Sequence, residues 1–241
     1  MNPLIIIPTY NEIENIDRMI HALMALDHEV DVLVVDDDSP DGTGKAADQL
    51  AQDFPNRVFP LHRRGKLGLG TAYIAGFKWG LDRGYDLLTE MDCDFSHDPK
   101  ELKNLIHACQ NGFDFAIGSR YTKGGGFKNW PFHRWLLSKF ASIYVQVILS
   151  LPIKDSTAGF ICYRREVLER IGLDSVKFIG YAFQIEMKYK AYIHGFKPKE
   201  LPITFADREF GKSKLSNGII KEAIFGVFTL RKIGKHIRKN H

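Results

Sequence analysis

Short apolar runs alternate with stretches of helical spacing through the first half of the chain, and this alternation limits the fold more than any other feature. Residues 4–7, 30–35, 58–61, 86–91 and 113–117 are each the length of a buried strand and too short for a helix. Between them, Ile13, Ile16, Ile20 and Leu23 recur at helical spacing after Asn11 or Glu12. Ala46, Ala47, Leu50 and Ala51 repeat the pattern, as do Ala72, Ala75, Phe77 and Leu81, and residues 100–109 carry a further helix. Strands alternating with helices predict a parallel sheet covered on both faces, because parallel neighbours need a crossover connection. Such sheets bind ligands at the carboxyl ends of their strands. Polar clusters follow the first, second and fourth runs, so one sheet edge is the expected site.

After Tyr121 the pattern changes. Residues 123–126 read as a glycine-rich loop, residues 135–151 as an apolar-rich helix, residues 201–205 as a late strand and residues 217–238 as a closing amphipathic helix. There is no internal repeat and no low-complexity linker. The expectation is one domain over residues 1–241, with 217–241 as a basic helical end.

Composition excludes several classes. Hydrophobic residues at 44% and charged residues at 26% are those of an ordinary globular protein. A net charge of +4 is mild and gives no case for a nucleic-acid partner. Cys93, Cys109 and Cys162 are too few and too scattered for a disulfide framework or a zinc site, so a reducing, cytoplasmic compartment is expected. The first apolar run is too short for a signal peptide and has no basic residue before it. No run approaches the ~20 apolar residues of a membrane span, so any membrane relation is peripheral or through a partner.

The chemistry-bearing residues sit at the strand ends. Asp92-Cys93-Asp94 puts two carboxylates within reach of one divalent cation, which prefers hard oxygen ligands; the same triplet also suits a helix cap. Asp36-Asp37-Asp38 sets three like charges together, which is costly unless one of them accepts hydrogen bonds from a base or ribose. Asp38 and Asp41 read as turn formers, and Asp37 as the ligand candidate. In Pro8-Thr9-Tyr10-Asn11-Glu12, the aromatic ring suits a nucleobase, while Thr9, Asn11 and Glu12 also suit capping. The stretch 65–70 matches neither a P-loop nor Gly-x-Gly-x-x-Gly and reads as a helix start. Arg120, Arg134, Arg208 and Lys214 matter as a set, since arginine offers a bidentate fork to phosphate.

In this order, Pro8-Thr9-Tyr10-Asn11-Glu12, the segment 34–43, Met91-Asp92-Cys93-Asp94, Gly118-Ser119-Arg120-Tyr121 and Gly211-Lys212-Ser213-Lys214 resemble the dolichol-phosphate (polyprenol-phosphate) mannose synthases. These are family 2 glycosyltransferases with a Rossmann-like GT-A fold, so the resemblance implies a mostly parallel sheet with helices on both faces, with residues 1–121 for the nucleotide sugar and 122–216 for the acceptor. Asn129-Trp130-Pro131-Phe132, Ala158-Gly159-Phe160 and Asp207-Arg208 are closer to the polyprenol-phosphate branch, and the likeness runs from about Leu4 to Ser216. The resemblance implies that Pro8, Tyr10, Glu12, Val35 and Asp37 hold the nucleoside of GDP-mannose. It places Asp92, Cys93 and Asp94 at the diphosphate, with both aspartates around Mg2+ or Mn2+, and Arg208 and Lys214 closing over it. Arg120, Arg134 and Ser138 would receive the lipid phosphate; Arg120 would also touch the donor, and Asp94, Arg120 and Arg134 would be catalytic. Ser96 and His97 stand where some members carry a glutamine beside the metal.

A phosphate acceptor is already an anion, so the expected reaction is one inverting displacement without a protein base. Glu186 is the residue able to overturn this, either as a base or as a partner for Lys188, Lys190 or Arg134. Two other readings stand beside it: glucose or N-acetylglucosamine transfer from a UDP-sugar to the same lipid, and a non-catalytic subunit serving a membrane partner. The apolar faces of residues 140–151 and of Ile219, Ile220, Ile224, Phe225, Phe228 and Ile233 either bury into the domain or lie on the cytoplasmic face of a membrane. In the second case Lys232, Lys235, Arg238 and Lys239 would meet anionic head groups.

Overall fold

The computed structural model describes residues 1–208 and 217–237. Lys214 with its neighbours 209–216, together with Arg238 and Lys239, lies outside the described residues, as do the side chains of Ile219, Ile220 and Ile224.

The five expected strands are β1 (Pro3–Thr9), β2 (Asp31–Asp36), β3 (Val58–His62), β4 (Leu87–Glu90) and β5 (Phe115–Ser119). The helices between them are α1 (Ile16–Met24), α2 (Thr43–Asp53), α3 (Leu69–Asp82) and α4 (Leu102–Gln110). The later elements are β6 (Gly126–Lys128), α5 (Phe132–Leu149), β7 (Ile161–Arg164), α6 (Arg165–Ile171), α7 (Tyr181–Ile193), β8 (Pro198–Pro202), β9 (Thr204–Ala206) and α8 (Asn217–Ile237).

Seven strands form one sheet in the order β3-β2-β1-β4-β7-β5-β8, and β6 pairs with β9 in a small second sheet. Along β1, residues alternate between the two cores. Leu4 and Ile6 pack on the side of α3, α5, α6, α7 and α8, whereas Ile5 and Ile7 pack on the side of α1, α2 and α4. Helices thus cover both faces, as the strand–helix alternation predicts.

The sheet is mostly parallel, as expected, and β7 is the strand that runs antiparallel, to both β4 and β5. The sequence reading needs three corrections. β7, α6 and α7 lack the clean periodicity that marked the first half: β7 is four residues long, and residues 182–191 of α7 are buried on every side, so no polar face punctuates them. The late strand is two strands broken at Ile203. Finally, α1 begins at Ile16, and its cap is the Glu12 carbonyl accepting the Ile16 N–H at 2.9 Å; Ile13 lies before the helix and is exposed.

Helix α3 lies so close to β1 that a Cβ at Gly76 would stand 2.5 Å from Ile6 Cγ2. Gly76→Val is expected to cost about 1–3 kcal/mol by overpacking. Urea denaturation checks this, and an unchanged midpoint would contradict the packing described.

Candidate active site

The ends of β1, β2 and β4 lie side by side because β1 pairs in parallel with both neighbours. At the first two ends, Pro8 is in register with Val35, and the Asp37 N–H donates to the Thr9 carbonyl at 3.0 Å. Asp36 is the hub of the turn. It accepts the Thr9 hydroxyl at 2.8 Å, the Ser39 hydroxyl at 2.6 Å and the Ser39 N–H at 3.0 Å. Asp41 accepts the Thr43 hydroxyl and N–H and the Ile13 N–H; burial works to raise its pKa, but these bonds hold it below the ordinary value. Asp36 and Asp41 are therefore spent on the turn.

Asp37 is different. Its Oδ2 accepts only a long bond from the Leu67 N–H at 3.3 Å. Its Oδ1 lies 3.2 Å from Arg63 Nε, yet has no hydrogen-bond partner among the described residues. Burial raises the Asp37 pKa against the opposing charge of Arg63. A buried carboxylate with an unused acceptor is what a nucleoside ligand would satisfy. Beside it, Lys66 Nζ stands 4.4 Å from the centre of the Tyr10 ring, and the Glu12 carboxylate accepts from Asn15 Nδ2 at 2.9 Å.

At the end of β4 the chain turns tightly. Phe95 adopts φ 59°, a left-handed conformation unusual for a bulky residue, and Asp94 Oδ1 accepts the Ser96 N–H at 3.1 Å. The Asp92 N–H donates to His97 Nδ1 at 3.2 Å, which leaves that imidazole neutral with its proton on Nε2. Burial moves His97 the same way, to a pKa of about 4, and its ring stacks on Phe160 at 4.9 Å. Cys93 turns its thiol into the apolar core, so only its backbone is left for the site.

Burial and then the charge of Asp94 push the Asp92 carboxyl up to about 7. Because 38% of the Asp92 side chain opens to solvent, water offsets part of the burial, and the like charge is the cause that persists. Arg208 meets Asp94 Oδ2 at 3.3 Å. Two adjoining carboxylates that repel each other fit a divalent cation. No cluster of three or more His, Cys, Asp or Glu side chains suited to a metal occurs among the described residues.

The expected acceptor residues gather where the small sheet meets α5. Pairing of β6 with β9 carries Trp130 onto Phe205 at 5.4 Å, and the Asp207 N–H donates to the Lys128 carbonyl at 3.1 Å. Asp207 then holds Arg134 at 3.0 Å, and the Arg134 guanidinium lies 4.1 Å from the centre of the Trp130 ring. Ser138 lies one turn further along α5. The Ala206 N–H donates to the Ser96 carbonyl, tying this cluster to the Asp92–Asp94 turn.

Arg120 sits deeper than the sequence implied. It is buried, and Asp155 grips its guanidinium at 2.7 and 2.6 Å while Thr157 accepts at 2.8 Å. Arg134 is the more accessible of the two arginines. Glu186 is not poised as a base: its Oε2 accepts the N–H groups of Lys177 and Phe178, and Oε1 lies 3.1 Å from Lys190.

Several residues escaped the sequence reading. Arg63 was legible in principle, since it follows β3 as the other clusters follow their strands. Asp155 and Gln184 carried no such signal. Gln184 donates to the buried Glu90 carboxyl, whose pKa burial raises to about 8, and Lys188 Nζ donates to the Ala158 carbonyl at 2.6 Å.

The Arg120–Asp155 pair generates a stability prediction. Burial would raise the Asp155 pKa, but the Arg120 charge and its hydrogen bonds hold it below the ordinary 3.8. A lowered carboxylate contributes stability that is complete above the unfolded value and is lost as pH falls through the folded one. Asp155→Ala is expected to cost about 3–5 kcal/mol at neutral pH, because it strands a buried guanidinium. That difference from wild type should shrink in acid below 3.8. Denaturation at pH 7 and pH 3 checks both; a small or pH-independent loss would contradict the pairing.

The sequence belongs to a known group. Glycosyl transferase family 2 matches residues 4–172. A polyprenol monophosphomannose synthase of Mycolicibacterium smegmatis is 52% identical over 224 residues, covering 93% of this chain and 84% of the relative. An undecaprenyl-phosphate mannosyltransferase of Micrococcus luteus is 48% identical over 227 residues, covering 94% of this chain and 93% of the relative. A mannosyltransferase of Pyrobaculum calidifontis, solved in complex with GDP-Man and Mn2+, shares the fold at a TM-score of 0.60 and 14% identity, over 99% of this chain and 72% of that one. The chain is a glycosyltransferase: it belongs to glycosyl transferase family 2, in the polyprenyl-phosphate mannose synthase branch.

Proposed function

We propose that this protein transfers mannose from GDP-mannose to a polyprenyl phosphate, with inversion at the anomeric carbon and with Mg2+ or Mn2+ at the donor diphosphate. The observation that carries this reading is the meeting of two unlike charge clusters. The carboxylates Asp92 and Asp94 stand at the end of β4, and the cation Arg134 stands on an aromatic wall tied to the same turn. A donor diphosphate with its cation suits the first, and an acceptor phosphate the second.

In this reading the nucleoside lies over Pro8, Tyr10, Glu12, Val35 and Asp37, with the unused Asp37 oxygen accepting from it. Asp92 and Asp94 hold the divalent cation, which supplies positive charge to the leaving diphosphate. Arg208 and Lys214 close over the same diphosphate. Arg134 and Ser138 hold the acceptor phosphate, while Arg120, fixed on Asp155, adds its positive field to both sides. An acceptor phosphate oxygen forms the bond to the anomeric carbon as the bond to the GDP β-phosphate oxygen breaks, and GDP leaves. The nucleophile carries no proton, so no protein base is required, and the engagement of Glu186 in the fold agrees with that. The acceptor is a lipid, so the reaction takes place at the cytoplasmic face of a membrane, with the protein bound peripherally or through an anchoring partner subunit.

The test is transfer of labelled mannose from GDP-mannose to a polyprenyl phosphate, with Mg2+, with chelator, and with Asp94→Ala. Label is expected in the lipid phase only with metal, and the substitution is expected to reduce the rate at least ~100-fold, the scale on which charge stabilisation at a leaving group acts. Label from UDP-glucose alone would overturn the mannose assignment, and label from neither donor would overturn the reaction.

A further inference from the structure

One buried ring that the proposed reaction does not use joins the two halves of the site. His97 is 2% exposed. Its Nδ1 accepts the Asp92 N–H at 3.2 Å, so the imidazole fixes the backbone from which the Asp92 carboxylate projects. The face of the ring stacks on Phe160 at 4.9 Å and 14°, while Phe205 meets it edge-on at 5.4 Å and 75°. Phe160 is itself wedged against β5, where a Cβ at Gly118 would stand 2.9 Å from its Cδ1. The sheet therefore backs the imidazole on one side, and β9 closes on it from the other.

Phe205 carries the contact onward. Trp130 meets it at 5.4 Å, and the Arg134 guanidinium lies 4.1 Å from the centre of the Trp130 ring. An unbroken line of contacts thus runs from Asp92 through His97, Phe205 and Trp130 to Arg134. Beside it, the Ala206 N–H bonds to the Ser96 carbonyl at 3.2 Å and holds β9 on the residue next to His97. Histidine suits this junction because one rigid ring offers both an acceptor nitrogen and an aromatic face. Phenylalanine would keep the face and leave the Asp92 N–H without its partner. Asparagine would keep an acceptor at the place of Nδ1 and lose the face. An N–H stripped of its partner is costly, and the turn it belongs to already holds Phe95 in a left-handed conformation at φ 59°.

We propose that His97 is a positioning residue with two tasks. Its nitrogen holds the Asp92 carboxylate through the backbone, and its ring keeps that carboxylate in register with Arg134 across Phe205 and Trp130. Neither task requires it to touch a substrate or to change its protonation. The second task rests on the function proposed above; the first needs only a nucleotide and a cation at Asp92 and Asp94.

The test separates the nitrogen from the ring. Mn2+ affinity in the presence of GDP, transfer of labelled mannose from GDP-mannose to a water-soluble prenyl phosphate, and the urea midpoint are measured on the full chain. The proteins are wild type, His97→Phe, His97→Asn and Phe205→Leu. His97→Phe is expected to weaken Mn2+ binding with GDP at least ~5-fold. His97→Asn and Phe205→Leu are expected to leave that affinity within about twofold and to lower kcat at least ~10-fold, because a shifted acceptor falls out of line with the donor. Combining these two should lose no more than either alone, since both break one contact. A residue that only stabilised the fold would move the urea midpoint and neither of the other readings. Unchanged Mn2+ affinity in folded His97→Phe, or unchanged kcat in folded His97→Asn, would therefore overturn the proposal. Phe205 is only partly buried and so tolerates the change; where a His97 variant does not fold, unchanged kcat in Phe205→Leu overturns the proposal equally. Wild type that binds Mn2+ with GDP but transfers no mannose defeats the function proposed above and the second task with it. A weakened His97→Phe would in that case still uphold the hold on Asp92.

Discussion

Parallel pairing of β1 with β2 on one side and β4 on the other is the constraint from which the rest of the molecule follows. It brings three strand ends to one edge, and each end carries carboxylates: Asp36 and Asp37, Asp92 and Asp94, and Glu12 just beyond β1. Like charges gathered in this way repel, so the surrounding structure must either neutralise them or leave them for a ligand. Asp36 and Asp41 have their oxygens taken up by turn hydrogen bonds. Asp37 keeps one oxygen without a hydrogen-bond partner among the described residues, and Asp92 and Asp94 stand as adjoining like charges.

The cations obey the same division. Arg120 is buried and fixed by Asp155, and Lys188 is buried beneath the same region on the Ala158 carbonyl. They hold the segment between α5 and β7 against the sheet. Arg134 and Arg208 are less buried and pair with Asp207 and Asp94. The antiparallel β7 matters here, because it inserts between β4 and β5 and so separates the β1–β2–β4 edge from the side where β6, β9 and α5 gather their aromatic residues. Strand β9 spans the two through the Ala206–Ser96 hydrogen bond.

Much of this was legible in the residues, and the reasons are specific. The first half of the fold could be read because its strands are short apolar runs and its helices amphipathic, so period and length agree. The strand ends could be read because three of them end in acidic clusters that a purely structural turn does not need. The second half resisted. Residues 182–191 of α7 are buried, with Glu186, Lys188 and Lys190 among them, so polar and apolar residues do not divide into two faces that a sequence could show. Arg120 looked like an open phosphate ligand because nothing near it in sequence announces Asp155, which lies beyond α5 and meets it only through the fold. The role of His97 was hidden for a similar reason: its acceptance of the Asp92 N–H is a matter of turn geometry that a strained Phe95 creates.

In the proposed function Asp92 and Asp94 hold a cation that the donor diphosphate completes. Electron paramagnetic resonance of Mn2+ tests it most directly, by titrating the metal into the protein with and without GDP. The account predicts weak binding of Mn2+ alone, binding tightened at least ~10-fold by GDP because phosphate oxygens complete the shell, and phosphorus hyperfine coupling in the ternary state. Tight Mn2+ binding without nucleotide, or GDP binding that leaves the Mn2+ signal unchanged, would contradict it.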